Sequence, residues 1–514
     1  MLKLAVCGYP PRDFLEFNDF INSCLDSVDE IASHTRGISV IVGAPSRNET
    51  GHGKPLFNSA FILSDGKVQK HIHKTLLPTY DIFDEYRYFE PNRAFEVVEI
   101  KGVQVGIAIC EDLWNVGNNP LYTQTPALAL KDKGAKLIVN IAASPFSYQQ
   151  DVERKVVLRE NAQKTGLPIV YCNHVGAQTE LIFDGGSFFM NKNGEVASQE
   201  VFFEESLIIN ELQISSGEFK SGSIQSGNKI QLIHDGLLLG IRDYFKKLGF
   251  KKAIVGLSGG IDSAVAACVA AAAVGPENVT AIAMPSRHSS QHSIDDAQYT
   301  GQALGINFSI REIDELHKSV ENSIGDVLSV GNPVANENLQ ARLRAIIVMG
   351  HANAQGSMAI ATGNKSELAQ GYCTLYGDMA GGYTPLGDLY KMEVYALAEL
   401  FNSRATTAGK NAPVNESTLS KPPSAELAPD QKDEDSLPPY PVLDAILKAH
   451  IEDGLDIKSI TEMGFERKTV IEVLNRLEKT EHKRWQMSPA PRVSVRAFGQ
   501  GWRHPLASKH SWRG

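Results

Sequence analysis

The sequence predicts two α/β units in tandem. Three observations carry that expectation. Up to about residue 215, short β-rich runs alternate with helical patterns. A Ser- and Gly-rich stretch over 213–228 then interrupts the alternation as a linker would. Beyond it, apolar runs at 253–257, 279–284 and 306–310 are separated by helical patterns, which is the arrangement of a doubly wound nucleotide-binding sheet. The expected boundaries are 1–215 for the first unit, 216–228 for the linker and 229–514 for the second unit.

Within the first unit the strand candidates are 38–42, 103–109, 137–140 and 169–171, with a helix over 151–165. The second unit opens on an amphipathic helix that places Ile230, Ile233, Leu237, Ile241 and Phe245 on one face. A strand at 253–257, a glycine-rich turn and an alanine-rich helix former at 264–274 follow. A further helix is expected over 294–304. Residues 402–440 are rich in Pro, Ser, Asn, Asp and Glu and are expected to form a long mobile loop. Two short helical segments and a basic tail from Lys483 complete the chain.

The 514 residues carry a formal charge of -10, which argues against a broad basic surface for nucleic acid. No apolar run is long enough to span a bilayer, and the first residues lack a signal-peptide pattern. The six cysteines form no Cys-x-x-Cys pair, so neither a zinc site nor a disulfide framework is indicated. A reducing cytoplasm is the expected compartment.

The most informative segment is Gly256-Leu257-Ser258-Gly259-Gly260-Ile261-Asp262-Ser263. It sits between a buried-strand pattern and a helix former, where backbone N–H groups and a helix N-terminus converge on an anion. Glycines permit close approach and positive φ, and the serines add hydroxyl donors. A Gly-Lys-Ser/Thr ending is lacking, so this is not the P-loop of kinases and GTPases. The segment resembles the pyrophosphate loop of the ATP pyrophosphatases. That resemblance implies cleavage of ATP between the α- and β-phosphates and adenylation of a substrate.

Downstream lie Asn338-Leu-Gln-Ala-Arg342-Leu-Arg344, Thr362-Gly-Asn-Lys-Ser-Glu367, Gly371-Tyr-Cys-Thr-Leu-Tyr-Gly-Asp378, Lys391 and Lys421-Pro-Pro-Ser-Ala-Glu-Leu427. In this order the segments resemble the synthetase domain of the glutamine-dependent NAD synthetase family. The resemblance implies that Thr362 and Lys391 contact ATP together with the loop. It also implies that Asn338, Glu367 and Lys483 contact deamido-NAD, and that Asp262 and Glu367 hold Mg²⁺. Carboxylates beside a triphosphate suit that ion. On the residues alone, the lesser alternatives are a helix cap for Asp262, a solvated charge for Glu367 and a helix-surface cation for Lys391; Arg342 and Arg344 could reach phosphates, but a helix-surface pair is the commoner meaning of such arginines. A homo-oligomer is also expected.

In the first unit, Gly106-Ile-Ala-Ile-Cys110-Glu-Asp ends a strand pattern on a cysteine, and His73-Lys74-Thr-Leu-Leu-Pro-Thr-Tyr80 lies upstream. The spacing resembles the nitrilase superfamily, which implies a nitrilase-like αββα sandwich that frees ammonia from glutamine. By that resemblance Cys110 is the nucleophile, Lys74 stabilises the oxyanion, Glu85 supports the lysine, and Tyr80 and Ser144 bind glutamine. Aligned on Cys7-Gly-Tyr-Pro-Pro11, the family's general-base glutamate falls on Lys3, and its first strand is expected to be missing. A lysine also common in the family's glutamine pocket is missing near Gln150. Glutamine use is therefore expected to be impaired. Two rivals remain at this level: another ATP pyrophosphatase such as a tRNA-modifying transferase, and a partly degenerate, non-catalytic homologue.

Overall fold

The computed structural model describes the chain except residues 1, 118–119, 331–333, 429–430, 509 and 513–514. The chain divides into two compact units, 1–227 and 228–514.

In the first unit, an antiparallel sheet of Ser39–Arg47, Leu56–Ser64 and Lys67–His73 lies against a six-stranded mixed sheet. The larger sheet runs in the order Val196–Gln199, Phe188–Met190, Ile169–Cys172, Leu137–Ile141, Val103–Ile109, Val98–Ile100. Its central three strands are parallel, and their near-continuous apolar runs follow from burial on both faces. Strand alternation divides the side chains between layers. Ile41, Ile62 and Ile72 meet Val105, Ile107 and Val139 between the sheets. Val42 and Ala44 instead pack with Val28 and Ala32 of the helix Asn18–Ser33. On the far side, Leu130 and Leu158 of the helices Pro126–Asp132 and Gln150–Thr165 cover Ala108 and Ile138. The layers are helix, sheet, sheet, helix, as the nitrilase resemblance implies.

Residues 3–7 are turns lying against the edge strand Ser39–Arg47. The Gly43 N–H donates to Leu2 O at 2.9 Å, and a Cβ on Gly43 would stand 2.3 Å from Leu4 N. Only glycine permits that approach.

The expected linker at 216–228 starts too early. Leu212–Gln213 pairs antiparallel with Glu218–Phe219. Phe219 is buried, with its ring centroid 5.0 Å from that of Phe189. Ser215, Ser216 and Gly217 read as linker composition because they turn a hairpin, with Gly217 at φ +69°.

The second unit holds a parallel four-stranded sheet in the order Asn307–Ile310, Val279–Ala283, Ala253–Gly256, Met358–Ile360. Counted along the chain that order is 3-2-1-4, and the switch point lies between the first and fourth strands. The helix Ile261–Val274 packs between the helices Lys229–Leu248 and Lys391–Thr407 and the sheet. Its alanines suit that crowded seat: Ala264, Ala266, Ala267 and Ala270 are buried. A helical cluster adds a second core, built on Leu443, Ile446, Leu447, Val470, Leu474 and Leu477.

The mobile loop expected over 402–440 is also corrected. The helix Lys391–Thr407 runs through its first residues, and Asn415 caps a further helix, Glu416–Ser420. Asn415 Nδ2, Ser417 Oγ and Lys421 Nζ all donate to the buried Asp296 carboxylate, at 2.6, 3.1 and 2.9 Å. Composition cannot register such tertiary anchoring. Residues 429–430 of this stretch lie outside the described residues.

Phe219→Ala tests where the first unit ends. Loss of a buried Phe ring there should lower the unfolding free energy by about 3 kcal/mol, read from urea denaturation. A change within about 0.5 kcal/mol, typical of an exposed linker position, would return Phe219 to the linker.

Candidate functional site

In the second unit, the chain leaves the strand Ala253–Gly256 through a turn that the Ser263 hydroxyl holds in place. Ser263 Oγ accepts from Ser258 N at 3.1 Å, lies 3.0 Å from Ser258 Oγ, and donates to Gly260 O at 3.0 Å. Gly259 has φ +82°, and a Cβ there would stand 2.1 Å from Ser293 O. Gly260 is the N-cap of the helix Ile261–Val274, so that helix directs its first N–H groups toward this turn. Asp262 lies inside the helix and is not its cap.

The neighbouring strand Met358–Ile360 leads to Thr362 and into a second turn. There Asn364 caps the helix Lys365–Gln370 and shares a capping box with Glu367. Asn364 Nδ2 also donates to Asp262 Oδ1 at 2.8 Å, which joins the two turns. Lys391 forms ion pairs with Asp262 and with Glu367, the latter at 3.3 Å. Burial and the adjacent Asp262 push the Glu367 carboxyl up to about 8. Burial opposes the Lys391 charge, but the two carboxylates outweigh it and hold its ammonium above the usual range.

A third cluster gathers on the loop Gly371 to Asp378. Lys483 Nζ donates to Gly371 O and Cys373 O, both at 2.7 Å. Thr374 Oγ1 donates to Asn338 Oδ1, and Thr374 N to Asp378 Oδ1, again at 2.7 Å. Burial pushes the Asp378 carboxyl up to about 6. All three clusters line one cavity of about 560 Å³. Of the residues the resemblance gives to ATP, deamido-NAD or Mg²⁺, only Gly259 does not line it; its role is to make the turn.

Several residues lining the cavity were not assigned by sequence reasoning. Asp433 accepts from Tyr440 OH at 2.8 Å, and its Oδ1 is buried without a hydrogen-bond partner. Glu426 accepts from Ser293 Oγ at 2.7 Å. The Lys421-Pro-Pro-Ser motif pointed at this segment without giving it a role. Arg344 is no helix-surface cation: it is half-buried, lines the cavity, and donates to Met284 O at 3.0 Å. Arg342 is exposed and donates to Leu375 O.

In the first unit, Cys110 follows the strand Val103–Ile109 with φ +51°, a strained conformation for a non-glycine residue. Asp112 fixes the bend. Its Oδ2 accepts from Ile109 N at 2.9 Å, and its Oδ1 from Thr75 N and Leu76 N at 3.0 and 2.8 Å. Asp112 thus ties the segment carrying Lys74 to the turn carrying Cys110. Its carboxyl is pushed up to about 6 by burial.

Lys74 Nζ lies 2.6 Å from Glu85 Oε2, and Lys3 Nζ pairs with Glu85 Oε1. Both lysines are fully buried. Tyr9 OH and Asn58 Nδ2 also donate to Glu85, at 2.9 and 3.2 Å. Burial opposes ionisation of Glu85, yet the two ammonium groups hold its carboxyl down at about 2. Burial lowers the Lys3 ammonium; for Lys74 the surrounding carboxylates outweigh burial and raise it. Cys110 lies within electrostatic reach of both lysines.

Tyr80 OH donates to Glu111 Oε1 at 2.9 Å, as does Tyr122 OH at 3.0 Å. Neither Glu111 nor Tyr122 was nominated from the sequence. Ser144 is buried and accepts from Arg154 Nε at 3.2 Å, while Arg154 is paired with Asp184 at 2.7 Å. Arg154 sits in a polar helical stretch, and nothing local marks it as buried.

Glu85 carries a testable pH dependence. Its carboxyl sits below the ordinary 4.5, so the unfolded chain binds the proton more readily. The stability it contributes is fully present above about 4.5 and is lost as pH falls toward 2. Glu85→Gln should lower stability at neutral pH and flatten the acid-unfolding limb between those values, followed by circular dichroism. A limb of unchanged steepness would contradict the pairing.

Comparison with known proteins identifies the family of each unit. The NAD synthase family matches residues 233–487, and the carbon-nitrogen hydrolase family matches residues 4–219. The chain is 40% identical over 515 residues to a glutamine-dependent NAD(+) synthetase of Synechocystis sp., covering 98% of this chain and 91% of that one. It is 37% identical to the Thermotoga maritima glutamine-dependent NAD(+) synthetase, covering 99% and 92%. The solved structure of the Acinetobacter baumannii glutamine-dependent NAD+ synthetase in complex with ADP superimposes with a TM-score of 0.77 at 35% identity, covering 98% of this chain and 91% of that one. By sequence and by fold, the chain belongs to the glutamine-dependent NAD(+) synthetase family.

Proposed function

We propose that the second unit amidates deamido-NAD to NAD and converts ATP to AMP and pyrophosphate. The observation that carries this reading is one cavity that gathers the glycine-rich turn, the Asp262–Lys391–Glu367 cluster and the Asn338–Lys483 cluster. The turn and the start of the helix Ile261–Val274 bind the phosphates. Thr362 and Lys391 complete the nucleotide site, and Asn338, Glu367 and Lys483 orient the dinucleotide. The nicotinate carboxylate oxygen attacks the α-phosphorus, the bond to the β-phosphate oxygen breaks, and pyrophosphate leaves. Ammonia then attacks the activated carbonyl carbon, AMP departs, and one proton is released.

Mg²⁺ fits the donors present. Asp262, Glu367 and the partnerless Asp433 Oδ1 offer hard oxygen atoms. Among the described residues no group of three or more metal-ligating side chains is assembled, so the remaining oxygens would come from phosphate and water. Asp262 and Glu367 would hold the ion, which supplies charge neutralisation on the phosphates. Among the described residues no helix is long and apolar enough to cross a membrane. A cytoplasmic, homo-oligomeric enzyme acting on small molecules is part of the same proposal.

For the first unit, the reading gives Cys110 the acyl group of glutamine, Lys74 the oxyanion, and Tyr80 and Ser144 the glutamine itself. Lys3 occupies the position of the general base and claims one oxygen of Glu85. An ammonium cannot take the thiol proton or pass it to departing ammonia.

Deamido-NAD, ATP and ammonium should therefore yield NAD, AMP and pyrophosphate; ADP and phosphate as products would refute the reaction. Asp262→Asn and Glu367→Gln should each slow it ~10²-fold or more, and near-normal rates in both would remove them from the metal site. Glutamine should support NAD synthesis ~10²- to 10⁴-fold less well than ammonia. Lys3→Glu should raise glutamine use selectively. Equal turnover with both donors in the unaltered protein would show that another residue serves as the base.

A further inference from the structure

In the two carboxylates given to the divalent cation every oxygen already accepts a hydrogen bond, shared out in the same way. Asp262 presents Oδ1 to Asn364 Nδ2 at 2.8 Å and Oδ2 to Lys391 Nζ. Glu367 presents Oε2 to Asn364 N and Oε1 to Lys391 Nζ, both at 3.3 Å. Asn364 thus holds one oxygen of each acid, and Lys391 holds the other.

A divalent ion and an ammonium compete for such oxygens, because both need the same lone pairs and their charges repel. The lysine cannot simply leave. Its side chain is 2% exposed, and a buried ammonium stripped of its partners is strongly disfavoured. Its backbone is also fixed, with Lys391 N donating to Ser366 Oγ at 3.0 Å and Glu393 closing a capping box on Tyr390. Only the end of the flexible four-carbon stem can be redirected. Turning it into the cavity, toward the turn at Ser258 to Ser263 that the proposed function assigns to phosphates, gives it new anionic partners once the nucleotide is bound.

We propose that Lys391 makes divalent-cation binding conditional on the triphosphate, by holding Asp262 and Glu367 until phosphate oxygens take its ammonium. The inference rests on the metal assignment made under the proposed function. It adds that metal and nucleotide bind with positive coupling, and that Lys391 is the group through which they are coupled. Linkage makes the effect reciprocal: the metal strengthens nucleotide binding by the same factor as the nucleotide strengthens metal binding.

The test uses the full-length chain and Mn²⁺ as the probe. Protein-bound ion is counted by electron paramagnetic resonance, with and without the non-cleavable α,β-methylene analogue of ATP, against protein-free controls. The unaltered protein should bind Mn²⁺ about tenfold or more tightly with the nucleotide than without it. Lys391→Met should bind Mn²⁺ about tenfold more tightly than the unaltered protein when nucleotide is absent, and should lose most of the coupling. Equal Mn²⁺ affinity of the unaltered protein in the two conditions would overturn the proposal. So would a folded Lys391→Met that binds nucleotide-free Mn²⁺ no better than the unaltered protein. If circular dichroism shows Lys391→Met to be unfolded, Lys391→Gln takes its place under the same two outcomes. Asp262→Asn, assayed with nucleotide, separates the two claims: loss of Mn²⁺ binding upholds the metal assignment, and retained binding defeats that assignment rather than the coupling.

Discussion

The nucleotide unit depends on one pairing, the parallel, in-register alignment of Ala253–Val255 with Met358–Ile360. Parallel neighbours leave the sheet at the same edge. The chain therefore issues from one strand into the Ser258 to Asp262 turn and from the other into the Thr362 to Glu367 turn. Asn364 then bridges the two, spanning 102 residues of sequence with one side-chain hydrogen bond. Neither turn alone supplies both acids. The site exists because the strand order reverses there, leaving a crevice between diverging connections.

The two units solve opposite electrostatic problems with the same residue types. In the first, one carboxylate, Glu85, serves two buried lysines. In the second, one lysine, Lys391, serves two carboxylates, with Asp433 close enough to add to the negative field. Buried charges persist only when paired and hydrogen-bonded, and both clusters meet that condition. The acidic surplus of the second suits the divalent cation proposed for it. In the first, Glu111 and Asp112 add to the field at Lys74, and the two ammonium groups favour a nearby thiolate by charge. What a protonated Lys3 lacks, on the proposed reading, is a free lone pair to carry the proton onward.

What the sequence conveyed follows from where the information lies. The turn after Gly256 was legible because the strand pattern, the glycines and the alanine-rich helix all sit within about two dozen residues. Cys110 at a strand end and Lys74 with Glu85 were legible through spacing and resemblance. Asp112, Arg154 and Asn364 were not assigned, since their work consists of hydrogen bonds to groups far along the chain, and their local context reads as ordinary polar helix or turn. The same blindness explains 402–440. Pro and Ser signal a loop, and partners from elsewhere in the chain, the Asp296 carboxylate and Ser293 among them, tie the segment down. At 216–228 the error was one of meaning, because hairpin turns and linkers share a composition.

The buried ammonium of Lys365 bears on how the protein is made. It pairs with Asp388 at 2.9 Å and Glu452 at 3.4 Å, and it donates to Ser494 Oγ and Arg496 O at 2.7 and 2.9 Å. The last of these partners is 131 residues further along the chain. Translation is vectorial, and units tend to fold in the order they emerge. The turn holding Asn364 and Glu367 thus leaves the ribosome with an ammonium that has no complete seat until residue 496 has been added. The first unit can close on itself long before that. A nascent chain stalled anywhere between 366 and 490 would display a finished sandwich beside an unfinished nucleotide site, so competence for nucleotide arrives late in synthesis, with the segment that docks on Lys365.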